Sequence, residues 1–171
     1  SVYNEEKALE EFYRETIKVL GQISWDYELI FVNDGSRDGS QDILDRLAAA
    51  DKRVRVVCFS RNFGHEAAMI AGLDYSRGDG IICMDADLQH PPECIPEILE
   101  KFGEGYQVIN MVRTKNKSAG FIKNLTSSAF YKFLNKISDV KLENNASDFF
   151  ALTANAAQVL KTNYREKVRF L

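Results

Sequence analysis

Asp85 and Asp87 stand two residues apart, directly after the apolar run Ile81-Ile82-Cys83-Met84. If that run is a strand whose backbone stays extended past Met84, both carboxylates project to one side, with Cα atoms about 7 Å apart. Such a pair is placed to hold a hard divalent cation, Mg²⁺ or Mn²⁺, which takes oxygen ligands from one or two carboxylates, substrate phosphates and water. Gln89 adds a side-chain carbonyl on the same alternation. Two acids in a turn are the competing reading. The apolar run weighs against it, because charge at the rim of a buried sheet is destabilising unless something there uses it. Asp34 has the equivalent place after Tyr27 to Asn33, and Gly35 and Gly39 behind it allow close approach of a ligand to the backbone. On spacing alone, a plain strand-to-helix turn explains Asp34-Gly35-Ser36 equally well.

Other chemistries are excluded by what is missing. No G-x-x-x-x-G-K-[ST] and no G-x-G-x-x-G occurs, which argues against P-loop and dinucleotide enzymes. His65 and His90 have no second His or Cys at ligand spacing and read as capping or hydrogen-bonding residues. The three cysteines, Cys58, Cys83 and Cys94, form no C-x-x-C and are odd in number, so neither a zinc site nor a disulfide framework is indicated and a reducing cytoplasm fits. With 22 basic and 25 acidic residues, a net charge of −3 and no Lys/Arg block, there is no footprint for nucleic acid. At 171 residues and 45% hydrophobic, the chain has the material for one ordinary core. No apolar run approaches the ~18 residues of a membrane span, and the N-terminus lacks a signal-peptide layout.

The elements that must position these residues alternate. Leu9, Phe12, Tyr13, Thr16, Ile17 and Leu20 recur at helical spacing; Tyr27 to Asn33 is strand-like; Ile43, Leu44, Leu47 and Ala48 mark a helix after Ser40; Val54 to Phe59 is strand-like again. A helix from about Gly64 to Ser76, a strand from Gly80 to Met84, a helix led by Pro91-Pro92 and a strand from Tyr106 to Val112 continue the pattern. Phe121 to Ile137 carries the apolar face of a long helix. A short helix near Ala154 to Lys161 follows Asp148-Phe149-Phe150-Ala151-Leu152 and closes the same domain. Alternation of this kind predicts an α/β fold, a mostly parallel sheet with helices on both faces. Ligands bind outside the carboxyl ends of such strands, where Asp34, the Arg61-Asn62 loop, Asp85, Asp87 and Arg113 all fall.

Four segments, Val2-Tyr3-Asn4-Glu5-Glu6, Val32-Asn33-Asp34-Gly35-Ser36, Ser60-Arg61-Asn62-Phe63-Gly64 and Met84 to Glu93, resemble family 2 glycosyltransferases of the GT-A fold, within them the polyprenyl-phosphate group of bactoprenol glucosyltransferases and dolichol-phosphate mannosyltransferases. The resemblance spans essentially residues 1–171 as one catalytic domain. It implies inverting, metal-dependent transfer of a sugar from a nucleotide diphosphate, UDP-hexose first, to a polyprenyl phosphate. By position, Tyr3, Glu5 and Asp34 would hold the nucleoside; Asp85 the ribose or metal; Asp87 and Gln89 the metal on the diphosphate; Arg113 a phosphate; and Asp148 would lie near the sugar as base or orienting acid. Asp148 also reads as an acid beside a helix-flanking turn. The family's first strand is expected upstream of Ser1, and membrane segments beyond Leu171, with the whole protein at the cytoplasmic face of the inner membrane. Phe121, Phe130, Tyr131 and Phe133 among Lys123, Lys132 and Lys136 suit a membrane surface or an ordinary core equally. Two alternatives stay open: a same-fold transferase acting on a soluble or cell-surface glycan precursor, and a non-catalytic nucleotide-sugar-binding domain. Oligomerisation with a second copy also stays open.

Overall fold

The structure, a computed structural model, describes residues 1–112 and 146–163. The chain divides into two compact units, Ser1–Ile109 with Asp148–Leu171, and Asn110–Ser147. The first holds every candidate site residue that is described. Arg113 and the helix expected over Phe121 to Ile137 lie outside the described residues.

Helix α1 (Leu9–Leu20) buries Leu9, Phe12, Thr16, Val19 and Leu20, the stripe that its spacing requires, and carries Glu10 and Glu11 in its first turn and Lys18 in its last, complementing the helix dipole. The Phe12 ring meets Phe31 edge to face, with centroids 6.3 Å apart. That contact docks α1 on strand β1 (Leu29–Asn33). Helix α2 (Ser40–Ala50) buries Ile43 and Leu44 and leads to β2 (Val54–Cys58), which pairs with β1 in parallel from Leu29↔Val54 to Asn33↔Cys58. Helix α3 (His65–Tyr75) buries Ala68, Met69 and Leu73. Strand β3 (Gly80–Cys83) follows, then a 3₁₀ turn over Pro92–Cys94, α4 (Ile95–Gly103) and β4 (Val108–Val112).

Sequence alternation did not indicate the element after that. Strand β5 (Ala146–Thr153) lies between β3 and β4 in a sheet of order β3-β5-β4 and runs antiparallel to β3, from Gly80↔Thr153 to Cys83↔Phe150. It buries Phe149, Phe150, Ala151 and Leu152, and α5 (Ala154–Asn163) follows it directly. The parallel β1–β2 pair and this antiparallel addition make the fold mixed α/β. Ser1 and Val2 join the two sheets. Val2 N–H donates to Val32 C=O at 3.0 Å and Val2 C=O accepts from Asp34 N–H at 2.9 Å, while on the other side the Ser1 nitrogen donates to Met84 C=O at 2.7 Å and Ser1 C=O accepts from Ala86 N–H at 3.2 Å. The ends of β1 and β3 are thereby brought next to each other, and the candidate residues with them. Among the described residues no helix is long and apolar enough to cross a membrane.

Candidate functional site

The Val2–Glu6 segment is stitched to the loop after β1 by reciprocal hydrogen bonds. Asn4 N–H donates to Ser36 Oγ at 3.0 Å and Asn4 Oδ1 accepts from Arg37 N–H at 2.8 Å; Glu5 N–H donates to Ser40 Oγ at 2.9 Å; Glu6 Oε2 accepts from Gly39 N–H at 2.8 Å. Asn4 takes φ +57°, a conformation that Asn tolerates better than most residues. This lattice leaves Tyr3 exposed and Glu5 half-buried at the rim. Burial pushes the Glu5 carboxyl up, and the negative charges of Asp87, Asp38 and Asp85 add to the rise.

Asp34 is buried, at 3% exposure, and its two oxygens are both engaged by backbone: Oδ1 accepts from Phe63 N–H at 2.7 Å and Oδ2 from Gly64 N–H at 3.0 Å. It therefore clamps the loop that leads into α3. Gly35 permits this, with φ +67° and its backbone so close to Arg61 that a Cβ would lie 2.3 Å from the Arg61 carbonyl carbon. The clamped loop displays Phe63, 52% exposed, with the Arg61 guanidinium 4.6 Å from its ring centroid.

Asp85 and Asp87 follow β3 as expected. Asp87 Oδ1 accepts from Gln89 N–H at 2.9 Å, an Asx turn around Leu88, whose φ is +63°. Gln89 is exposed. His90 is buried and stacks on Phe149 with centroids 5.0 Å apart; its Nδ1 accepts the Asp85 N–H at 2.9 Å. Asp85 Oδ1 accepts from the Ser1 hydroxyl. Cys83, just inside, is pushed up to about 12 by burial and stays a thiol near neutral pH.

His65, the first residue of α3, enters between these groups. Its Nδ1 is 2.9 Å from Ser1 Oγ and 3.3 Å from Asp85 Oδ1, and its Nε2 is 3.7 Å from Asp148 Oδ2. Asp148, 65% exposed on β5, thus reaches the same rim as Asp85. The structure groups Tyr3, Glu5, Asp34, Asp85, Asp87, Gln89 and Asp148 around the ends of β1 and β3, and adds His65 and His90, which ligand spacing in the sequence had set aside.

A hard divalent cation fits the donor set. Asp85 and Asp87 each have one oxygen fixed by a protein donor, and no protein hydrogen bond among the described residues takes the other. No group of three or more His, Cys, Asp or Glu side chains among the described residues makes a closed metal cage, so substrate oxygens would complete the shell.

Comparison with known proteins is consistent with this geometry. The family model described as Glycosyl transferase family 2 matches residues 1–158. The uncharacterised glycosyltransferase YkcC of Bacillus subtilis (strain 168) is 43% identical over 170 residues, covering 99% of this chain and 52% of its own. A prophage bactoprenol glucosyl transferase homolog of Escherichia coli (strain K12) is 40% identical over 161 residues, 94% of this chain and 52% of its own. The bactoprenol glucosyl transferase of Shigella phage SfV is 38% identical with the same coverage, 94% and 52%. The chain thus spans about half the length of the curated relatives it matches. Among solved structures, glucosyl-3-phosphoglycerate synthase from Mycobacterium tuberculosis in complex with Mn²⁺, UDP-glucose and glycerol 3-phosphate superposes with a TM-score of 0.59 at 21% identity, over 90% of this chain and 55% of that one. The mannosyltransferase PcManGT from Pyrobaculum calidifontis, in complex with GDP-mannose and Mn²⁺, gives a TM-score of 0.57 at 17% identity, over 94% and 44%. At such identities the likeness is one of fold.

Proposed function

The chain belongs to glycosyl transferase family 2, and on that premise we propose that it forms the donor-binding and catalytic face of an enzyme that moves a hexose from a nucleotide diphosphate, UDP in the first instance, to a polyprenyl phosphate, with inversion at the anomeric carbon. The observation that carries this reading is the Asp85–Asp87 pair at the end of β3. One oxygen of each carboxylate accepts a hydrogen bond from the protein, and no protein hydrogen bond among the described residues takes the other. The bactoprenol names of relatives at 40% and 38% identity support the lipid-phosphate acceptor. A lipid acceptor would put the whole protein to work at the cytoplasmic face of the inner membrane.

Each residue then has a role. Tyr3 and Glu5 line the nucleoside side of the rim, and Asp34 holds the Phe63–Gly64 backbone that closes it. Asp85 and Asp87, with Gln89 beside them, would hold Mg²⁺ or Mn²⁺ against the diphosphate. The cation, when bound, neutralises charge growing on the leaving nucleotide diphosphate. Asp148 faces the sugar side and directs the acceptor. A phosphate acceptor is already ionised near neutral pH, so orientation suffices and a strong base is not required. Arg113 is the proposed charge-assisted donor to a phosphate.

Calorimetric titration of UDP into the chain tests the reading. Binding is expected with Mg²⁺ or Mn²⁺ and to be lost in EDTA. Equal affinity in EDTA would overturn the metal bridge, and preference for GDP would move the donor to a mannosyl nucleotide. Transfer of radiolabelled glucose to polyprenyl phosphate by the full-length protein tests the acceptor; transfer only to water-soluble glycans would overturn it.

A further inference from the structure

Taking the metal-dependent transfer reading of this site as given, we infer that His90 is a positioning residue: it ties the loop that carries Asp85 and Asp87 to strand β5 and so sets the direction and spacing of the two carboxylates before a ligand arrives. His90 is 3% exposed, and its Nδ1 accepts the Asp85 N–H at 2.9 Å. A backbone N–H can only donate, so Nδ1 is bare, the ring's proton is on Nε2 and the imidazole is neutral. That bond joins the two ends of the loop from Asp85 to His90. Inside the loop, Asp87 Oδ1 accepts from Gln89 N–H at 2.9 Å, and Leu88 takes φ +63°. A leucine in the left-handed region is strained, and such a conformation persists only where its surroundings over-determine it. The two hydrogen bonds, one across the ends of the loop and one across its outer turn, do so.

The ring is itself held. Pro91 follows it, and a residue before proline is kept out of the helical region, which leaves the His90 backbone few directions. Pro92 then begins the 3₁₀ turn that leads into α4, where Ile95 and Ile98 are buried. One face of the imidazole lies on Phe149, with centroids 5.0 Å and planes 21° apart, and Phe149 is a 3% exposed residue of β5. The ladder between β3 and β5 ends at Cys83↔Phe150, so the stack carries the contact between the two strands past their last pair, where the D-x-D segment leaves β3. An imidazole suits both tasks: it offers a flat face to the phenyl ring and an in-plane lone pair to the amide. A hard cation demands a narrow range of ligand geometry, and a carboxylate pair on an untied loop would have to be ordered as the cation binds, at a cost in affinity.

Substitutions divide the two contacts of the ring. His90→Asn puts a carbonyl oxygen near the place of Nδ1 and gives up the stack; His90→Phe keeps a flat ring on Phe149 and removes the acceptor; His90→Leu removes the acceptor without added bulk. In full-length protein at saturating UDP, Mn²⁺ is titrated and the free ion read by electron paramagnetic resonance, with melting temperatures taken on the same preparations. His90→Phe and His90→Leu are expected to weaken Mn²⁺ binding about 10–100-fold, the usual effect of removing an outer-shell partner. His90→Asn should recover most of that loss, whichever variant melts lowest. Phe149→Leu should weaken Mn²⁺ binding no more than His90→Asn does and add nothing to it, because the stack has already gone. Equal losses in the variants that keep and that remove the acceptor, losses that simply follow the melting temperature, or wild-type affinity in His90→Leu would each overturn the inference and leave the transferase reading in place. Failure of the wild-type protein to take up Mn²⁺ with UDP would overturn that reading itself, and the inference with it.

Discussion

Replacing Asp34 by Asn tests whether this carboxylate acts first on the protein's own backbone. Two amides converge on it, Phe63 N–H at 2.7 Å on Oδ1 and Gly64 N–H at 3.0 Å on Oδ2, at a residue only 3% exposed. Hydrogen bonds to a charged group contribute about 1.5–3 kcal/mol each. Asn keeps the shape and one acceptor, so one of the two bonds survives in weakened, neutral form. The other end becomes an NH₂ facing a buried N–H, which loses the bond and leaves two donors opposed. The expected loss is therefore about 2–3 kcal/mol, which for a chain of this length corresponds to a fall in Tm of about 5–10 °C. Urea denaturation followed by circular dichroism reads the midpoint, and UDP–Mg²⁺ calorimetry on the same preparations reads the site. Asp34→Ala, which strands both amides, should lose more than Asp34→Asn. An unchanged urea midpoint in Asp34→Asn with nucleotide affinity reduced more than about tenfold would refute the clamp and leave a direct nucleoside contact as the carboxylate's main work.

The remaining expectations separate other groups. Asp87→Asn removes charge from the proposed cation site and should weaken both UDP–Mg²⁺ binding and transfer, whereas Asp148→Asn should leave UDP affinity nearly intact and lower turnover by about 10²–10⁴-fold if it acts as a base, less if it only orients; the reverse pattern in calorimetry and transfer would exchange the two assignments. Gly35→Ala meets both a φ of +67° and backbone atoms of Arg61 and Asn62 at 2.3 and 2.6 Å from its new Cβ, so it should destabilise by at least about 3 kcal/mol in urea; a wild-type midpoint would show that the loop yields easily. Asp51 is held at about 2, first by the Arg53 guanidinium and then by the Arg53 backbone N–H. With its folded value below the unfolded one, the contribution is complete above about pH 4 and fades as pH falls through about 2. Because Arg53 is half exposed, Asp51→Asn should cost only about 1 kcal/mol near neutral pH and progressively less as pH falls through about 2; a pH-independent difference between the two proteins would show that the charge is not its source.

Helix α1 was legible because its signal is entirely local: Leu9, Phe12 and Thr16 recur at the helical period and all are buried. Strand β5 was not, although its residues were singled out. A run such as Asp148 to Leu152 has no periodicity that distinguishes strand from helix, and its antiparallel partner β3 ends more than sixty residues earlier in the chain. The site divides the same way. The types and places of Asp85 and Asp87 could be read from an apolar run ending in D-x-D, but the positive φ of Leu88 that folds Gln89 back onto Asp87 leaves no trace in residue type. Asp34 was legible as an acid at a strand end, while its two backbone partners, twenty-nine and thirty residues on, were not. His65 was set aside because metal spacing was the wrong question to put to it; its place is fixed by the clamp on Gly64, a contact between distant segments.

These carboxylates share one design. In each of Asp85 and Asp87 one oxygen accepts a hydrogen bond from the protein, which turns the other in a set direction. The hydrogen bonds that orient them come from a hydroxyl and a backbone amide, and no Lys or Arg side chain pairs with either among the described residues. Glu5 beside them is pushed up, first by its own burial and then by the charges of Asp87, Asp38 and Asp85. A nucleotide diphosphate approaching such a rim alone would meet repulsion that grows as water is excluded between the charges. On the proposed reading the rim would favour a ligand that brings its own positive charge, so cation and diphosphate would arrive together, or the cation first. Had the same carboxylates been oriented by Lys or Arg, the geometry could have been equally sharp, yet the proposed cation would have no electrostatic reason to bind there.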